Sequence, residues 1–387
     1  MFHKNAFVFI ALSFLAASFA YSQQADHSKV PGVIIDYSPA ESKIYLGCPS
    51  IAVLPNGDYV ASHSFFGPAS RKNRIAVFRS DDKGKSWQKL TDLKGQWWSG
   101  LFMYKGSLCI MGTSHLYGDV VIRRSNDGGK TWTTPNDKNT GLLKSGKGYH
   151  TAPVPVVIHN GRIWRGMEYK KPKAGWGKFY SFVMSAPVDA DLLKAENWTS
   201  SNRMIFEKQW APQESNPGWL EGNIVITPDN KLVNILRLNT DEGEKAAVIK
   251  VSDDGKSISF DPQNDIIDFP GGATKFTIRY DNFTGRYYSL TNKILKRNRS
   301  VKASLHRNTL ALISSADLKT WRTDTIILNH PDVKKTGFQY IDWLFEGDDI
   351  IFVSRTAFDD GVGGAHRQHD ANYFTFHHIE NFRQLKK

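Results

Sequence analysis

SDDKGKSW, residues 80–87, returns as SNDGGKTW at 125–132. Both fit Ser-x-Asp-x-Gly-x-Ser/Thr-Trp, and two worn copies follow in SDDGKSISF (252–260) and SADLKTW (315–321), with AENW (195–198) as the remnant of another. The residue types are structural: Asp and Gly shape a tight turn, the hydroxyl bonds local backbone, and the Trp packs between strands. One chain that repeats such a turn repeats a supersecondary unit, and the period decides the fold.

A second repeat lies between these turns. Six segments share a β-rich run, a turn and a second β-rich run: CPSIAVLPNGDYVASH (48–63), WWSGLFMYKGSLCIMGTSH (97–115), YHTAPVPVVIHNGRIWRGMEY (149–169), WLEGNIVITPDNKLVNILRLN (219–239), TKFTIRYDNFTGRYYSLTN (274–292) and FQYIDWLFEGDDIIFVSR (338–355). Asn-Gly, Lys-Gly, Asp-Asn and Thr-Gly at their centres are hairpin chemistry. Starts 49 to 70 residues apart leave room for one four-stranded blade each. The expectation is an all-β propeller of six blades, with seven left open, in one domain over residues 21–387. VPGVIIDYS (30–38) should close the ring beside NYFTFHHIENF (372–382).

Residues 1–20, MFHKNAFVFIALSFLAASFA, read as a secretory signal: an apolar run behind His3 and Lys4 that ends in Ser-Phe-Ala. Export, with a periplasmic location, follows as an expectation. Cys48 and Cys109 each sit in an apolar strand-like run, where a buried thiol is expected over a disulfide. A net charge of +12 points to an acidic partner. The cations are scattered except in LKRNRSVK (295–302), and no nucleic-acid signature is present, so an acidic oligo- or polysaccharide met by a monomer is the expected partner, not nucleic acid or membrane.

The repeated turns resemble the Asp boxes of sialidase-like β-propellers, over nearly the whole chain beyond the signal. That resemblance implies ligand chemistry at one mouth of the central channel, reached by the hairpin ends far from each turn. His115, Tyr149, His150, Trp97, Trp219 and Glu221 lie about there by residue count, whereas His63 is nearer its turn. Sialidases themselves need three arginines, a Tyr with its Glu, and an Asp acid, announced by Arg-Ile-Pro in the first blade. Here the first blade reads ESKIYLGCPS, and Arg165, Arg237, Arg279 and Arg355 remain as sources of a triad.

CPSIAVLPNGDYVASH, WWSGLFMYKGSLCIMGTSH and GYHTAPVPVVIHNGRIWR resemble more closely the propellers that cleave L-rhamnose from glucuronic acid, polysaccharide lyase family 42 and the rhamnosidases of glycoside hydrolase family 145. Lyases of that kind use a His, a Tyr and an Arg about sixteen residues after the Tyr, and Tyr149 and Arg165 have that spacing behind His115. The resemblance implies His115 as the main proton-transfer residue, Tyr149 as its partner, His150 as support, and Arg165 to neutralise the uronate carboxylate. Arg165 lies some five residues nearer its turn than His115, so Arg237 stands as the substitute neutraliser. Trp97, Glu221, Arg237 and His366 are expected substrate contacts, and His63 a separate hydrolytic site on the opposite mouth. No cofactor is implied. His366, His369, His377 and His378 in the tail read as a mouth-lining loop, not a metal site. Hydrolysis, a sialidase and a non-catalytic glycan-binding propeller are the rivals to elimination.

Overall fold

The computed structural model describes residues 24–175 and 177–385; the expected signal sequence over 1–20 lies outside them. Six antiparallel sheets follow one another along the chain, and all six expected hairpins form the inner half of a blade. Blade 1 runs Tyr45–Val53, Tyr59–Phe66, Arg74–Ser80 and Gln88–Lys94. Blade 2 begins at Trp97–Tyr104, blade 3 at Tyr149–His150, blade 4 at Gly218–Ile226, blade 5 at Ile278–Asp281 and blade 6 at Gly337–Glu346. Val33–Tyr37 pairs with Tyr373–Ile379 and supplies the outer strand of blade 6, so the first strand closes the ring against the last.

Both full-length turns form as their residues dictate. Asp127 accepts from Ser125 Oγ at 2.8 Å, Thr131 Oγ1 at 2.6 Å and the backbone of Thr131, while Trp132 Nε1 donates to the Gly129 carbonyl at 2.9 Å. Asp82, Ser80, Ser86 and Trp87 repeat the pattern, and Trp321 donates likewise in blade 5. These turns join the third strand of a blade to the fourth, at the end away from the mouth.

One apolar cluster fills each seam between neighbouring blades; that between blades 1 and 6, for example, holds Leu46, Ile51, Phe78, Val353, Phe374 and Phe376. Cys48 and Cys109 are free and buried, as expected. Among the described residues no helix is long and apolar enough to cross a membrane.

Candidate active site

The innermost strands of blades 1, 2, 4 and 6 each slip register at the same height, between Gly47 and Ser50, Trp97 and Gly100, Leu220 and Asn223, and Gln339 and Asp342. The residue after the first of each pair sits in the left-handed region: Cys48 (φ 51°), Trp98 (46°), Glu221 (60°) and Tyr340 (57°). None is glycine, so each bulge holds a strain of about 1–3 kcal/mol, a cost that structures tolerate where a side chain must be re-aimed. Here the aim is across the channel. Tyr340 of blade 6 donates its hydroxyl to Glu221 Oε1 of blade 4 at 2.8 Å, although blade 5 stands between them.

Three arginines surround that pair. Arg237 Nη1 donates to Glu221 Oε2 at 2.8 Å in an ion pair that is 1%/2% exposed. The Arg307 and Arg355 guanidinium carbons lie 5.5 and 4.9 Å from the centre of the Tyr340 ring. Both are buried, yet their hydrogen bonds go to neutral oxygens: Arg307 to Gln339 and to the Ser304 carbonyl, Arg355 to the His369 carbonyl. Nε of Arg237 and of Arg355 is buried without a partner. Burial, reinforced by Arg355 and Arg237, pulls Arg307 down to about 9. Burial pushes the Tyr340 phenol up, with Glu221 adding to it, against the pull of the arginines. Burial also works to raise Glu221, but the charges of Arg237 and His150 and its two hydrogen bonds outweigh that and hold it low. Lys275, buried under the site and bonded to Thr277 Oγ1 at 2.7 Å and the Ile341 carbonyl at 2.6 Å, falls to about 8 through burial.

Above Tyr340 opens a cavity of about 770 Å³, in the usual range for a small-molecule site. Arg237, Arg307, Tyr340 and His369 line its floor, and Arg297, Arg299 and Lys302 one wall. That wall is the connection between Arg286–Thr291 and Thr309–Ser315 of blade 5, so the one basic cluster visible in the sequence borders the pocket. Arg299 is paired with Glu242 and Arg367 with Asp370.

The residues expected at the site are dispersed. Of them, Glu221 and Arg237 meet at the centre, and Arg355 joins them. His150 flanks Glu221: its Nδ1 lies 2.9 Å from Glu168 Oε2, Glu168 Oε1 accepts from the Gly222 amide at 3.1 Å, and the ring stands edge-on to Trp98 with centroids 4.2 Å apart. Tyr149 instead turns into the blade 3 core, its hydroxyl 3.3 Å from Arg203. His115 is exposed on the connection after Thr113 and contacts Ser114 Oγ at 2.9 Å. Among the described residues no hydrogen bond or ring contact joins it to Tyr149 or His150.

Arg165 is fully buried and donates to the carbonyls of Val154 and Ala152 at 3.1 and 3.0 Å, and burial lowers it to about 10. Its own strand is not bulged: Arg162–Lys170 pairs in unbroken register with Phe179–Pro187, and the extra residues lie in the facing segment, between His150 and Val157. Arg279 is bound between blades 5 and 6 to the Trp343 carbonyl and Asp342. Trp97 and Trp219 cap seams, each indole donating to a carbonyl of the preceding blade, Phe65 and Phe179. His366 is exposed and paired with Asp370 at 2.8 Å. His63 is buried in the seam between blades 1 and 6, wedged against Phe65, Phe78 and Phe374 and bonded to Asp36 at 2.8 Å. Tyr340 and Arg307 carry no local signal in the sequence, one being a Tyr in an apolar run and the other an Arg in a loop.

No protein-family model and no curated protein matches the chain. Solved structures do. A Dyadobacter fermentans protein of unknown function is 13% identical with a TM-score of 0.61, over 91% of this chain and 98% of that one. The Hadza microbial sialidase Hz136 is 11% identical with a TM-score of 0.61, over 91% and 69%. The Penicillium chrysogenum α-L-arabinanase solved with arabinobiose is 15% identical with a TM-score of 0.55, over 92% and 98%. At these identities the likeness is one of fold: this chain is a six-bladed, sialidase-like β-propeller.

Proposed function

We propose that this propeller is an exo-acting glycoside hydrolase for a terminal acidic sugar that carries its carboxylate on or beside the anomeric carbon, as sialic acids do. One observation carries the reading: a Tyr hydroxyl bonded to a buried Glu within a cluster of three guanidiniums, two of which, Arg307 and Arg355, make no ion pair among the described residues, so that three cations gather round one buried carboxylate. A buried excess of positive charge is costly, because one carboxylate cannot offset three guanidiniums. A planar carboxylate bonded to Arg307 and Arg355 removes that cost and places its own sugar against Tyr340.

The nucleophile fits the substrate. A carboxylate attacking next to another carboxylate meets like-charge repulsion, whereas a phenol starts neutral, and tyrosine nucleophiles are known for this class. Glu221, held ionised by Arg237, takes the phenolic proton as Tyr340 attacks. Neighbours named as a sialidase and an arabinanase support a glycan substrate.

Elimination across a rhamnose-glucuronate linkage is the second reading, favoured by the same unpaired arginines, which would neutralise a uronate equally well. It would then use Tyr340 and not the pair His115 and Tyr149, which point apart. The test is incubation with an aryl glycoside of N-acetylneuraminic acid and, separately, with a rhamnose-capped acidic glycan. Release of the acidic sugar without an ultraviolet-absorbing unsaturated product supports hydrolysis; that product from the second glycan supports elimination. Activity on neither leaves a binding protein.

A further inference from the structure

Retaining hydrolysis needs a group that protonates the departing oxygen and later takes a proton from water. The blade 1 segments that reach the mouth, 45–49 and 66–73, contain no Asp or Glu. Glu221 is committed to Tyr340 and Arg237. Asp241, at the rim, is held below the usual carboxylate range by its hydrogen bonds to Ser215 and carries no proton near neutrality.

We propose, resting on the hydrolase reading above, that His369, held by Asp370, is the acid-base residue of this site. His369 lines the same cavity as Tyr340 and Arg307. Its Nδ1 lies 2.6 Å from Asp370 Oδ1, its ring stands edge-on to Phe66 with centroids 5.5 Å apart, and its carbonyl is bound by Arg355. The side chain is 29% exposed in a residue that lines the cavity, and Nε2 has no hydrogen-bond partner among the described residues, so it is free to meet a ligand. A carboxylate on one imidazole nitrogen with the other nitrogen turned to the reaction is the arrangement that fixes tautomer and direction.

In the first step Tyr340 Oη bonds to the anomeric carbon, its proton passes to Glu221, the glycosidic C–O bond breaks, and the leaving oxygen takes a proton from His369 Nε2. In the second, water attacks the same carbon, gives its proton to Nε2, and the Tyr340–carbon bond breaks as Glu221 returns the phenolic proton. The sum is one water consumed and one glycosidic bond cleaved.

The groups facing His369 explain when it becomes charged. Burial and the nearby Arg355 and Arg307 hold it neutral in the empty site, down to about 3, against the pull of Asp370. Asp370 is itself shared with His366 and Arg367. A carboxylate bound to Arg307 and Arg355 offsets the two repelling charges, so substrate binding loads the proton that the reaction spends.

The experiment compares wild type, His369→Gln and Tyr340→Phe on the phenyl and dinitrophenyl glycosides of N-acetylneuraminic acid. His369→Gln should lower kcat/KM at least about 100-fold on the phenyl glycoside, whose leaving group needs a proton, and at least ten times less on the dinitrophenyl glycoside. Tyr340→Phe should abolish both. Isothermal titration with N-acetylneuraminic acid in two buffers of different ionisation enthalpy should show proton uptake near pH 6 in wild type and none in His369→Gln. Equal losses of His369→Gln on both glycosides, or unchanged proton uptake, overturn the assignment while the Tyr340 result stands. A wild type inert on both glycosides overturns the hydrolase reading and this assignment with it.

Discussion

Arg237 and Arg307 are both buried beside Tyr340, but their removal should move stability in different directions. Arg237→Met strands the buried carboxylate of Glu221 and should cost about 3–5 kcal/mol in urea unfolding. Arg307→Met deletes a guanidinium with only neutral partners and should leave stability unchanged or raise it, while weakening binding of an acidic sugar at least about tenfold. Comparable destabilisation by both would mean that Arg307 has an anionic partner in the resting protein. Glu221 and Arg237 were legible in the sequence because both sit on hairpin ends near the expected mouth. Tyr340 was not, because what distinguishes it is a register slip opposite Arg355 and a partner two blades away.

The hairpins and Asp-box turns were legible because their chemistry is local. Asn-Gly or Ser-x-Asp-x-Gly forms the same turn wherever it falls. Asp127 binds Ser125, Lys130 and Thr131, so Asp127→Ala should destabilise blade 2 by about 1.5–3 kcal/mol, read as a lowered urea midpoint with catalysis retained. The bulges were not legible, since an extra residue in a strand shows only when the partner strand's register is known. For the same reason Arg165 looked eligible by spacing and proved to be bound to carbonyls within its own blade. The blade 5 connection that carries Arg297, Arg299 and Lys302 should act through long-range charge: Lys302→Ala should lower kcat/KM for an acidic glycan modestly, by about two- to fivefold at low ionic strength, with the difference fading in salt. A deficit that persisted at high salt would point to a direct bond instead.

Ring closure rests on Val33–Tyr37 joining Tyr373–Ile379, and a buried histidine, His377, sits on that closing strand. His377 is buried, stacked on Phe352 with centroids 4.5 Å apart and bonded to Thr375 Oγ1 at 2.8 Å, and burial lowers it to about 3. Its folded value lies below the unfolded one, so the unfolded chain binds the extra proton first. Stability should therefore fall as pH drops from about 6.5 towards 3, by up to about 1.4 kcal/mol per pH unit for this group, and His377→Gln should flatten that slope. An unchanged slope in the variant would place the acid sensitivity elsewhere. The ring that this seam closes brings a tyrosine of blade 6 to a glutamate of blade 4 beneath three arginines, where the tyrosine should bond to the sugar. Intact and peptide mass spectrometry after reaction with a fluorinated, slow-turnover glycosyl fluoride of N-acetylneuraminic acid detects that bond. One added sugar should appear on the peptide that contains Tyr340 and be absent in Tyr340→Phe; an adduct on another residue, or none while the sugar is still turned over, would rule out a tyrosine nucleophile.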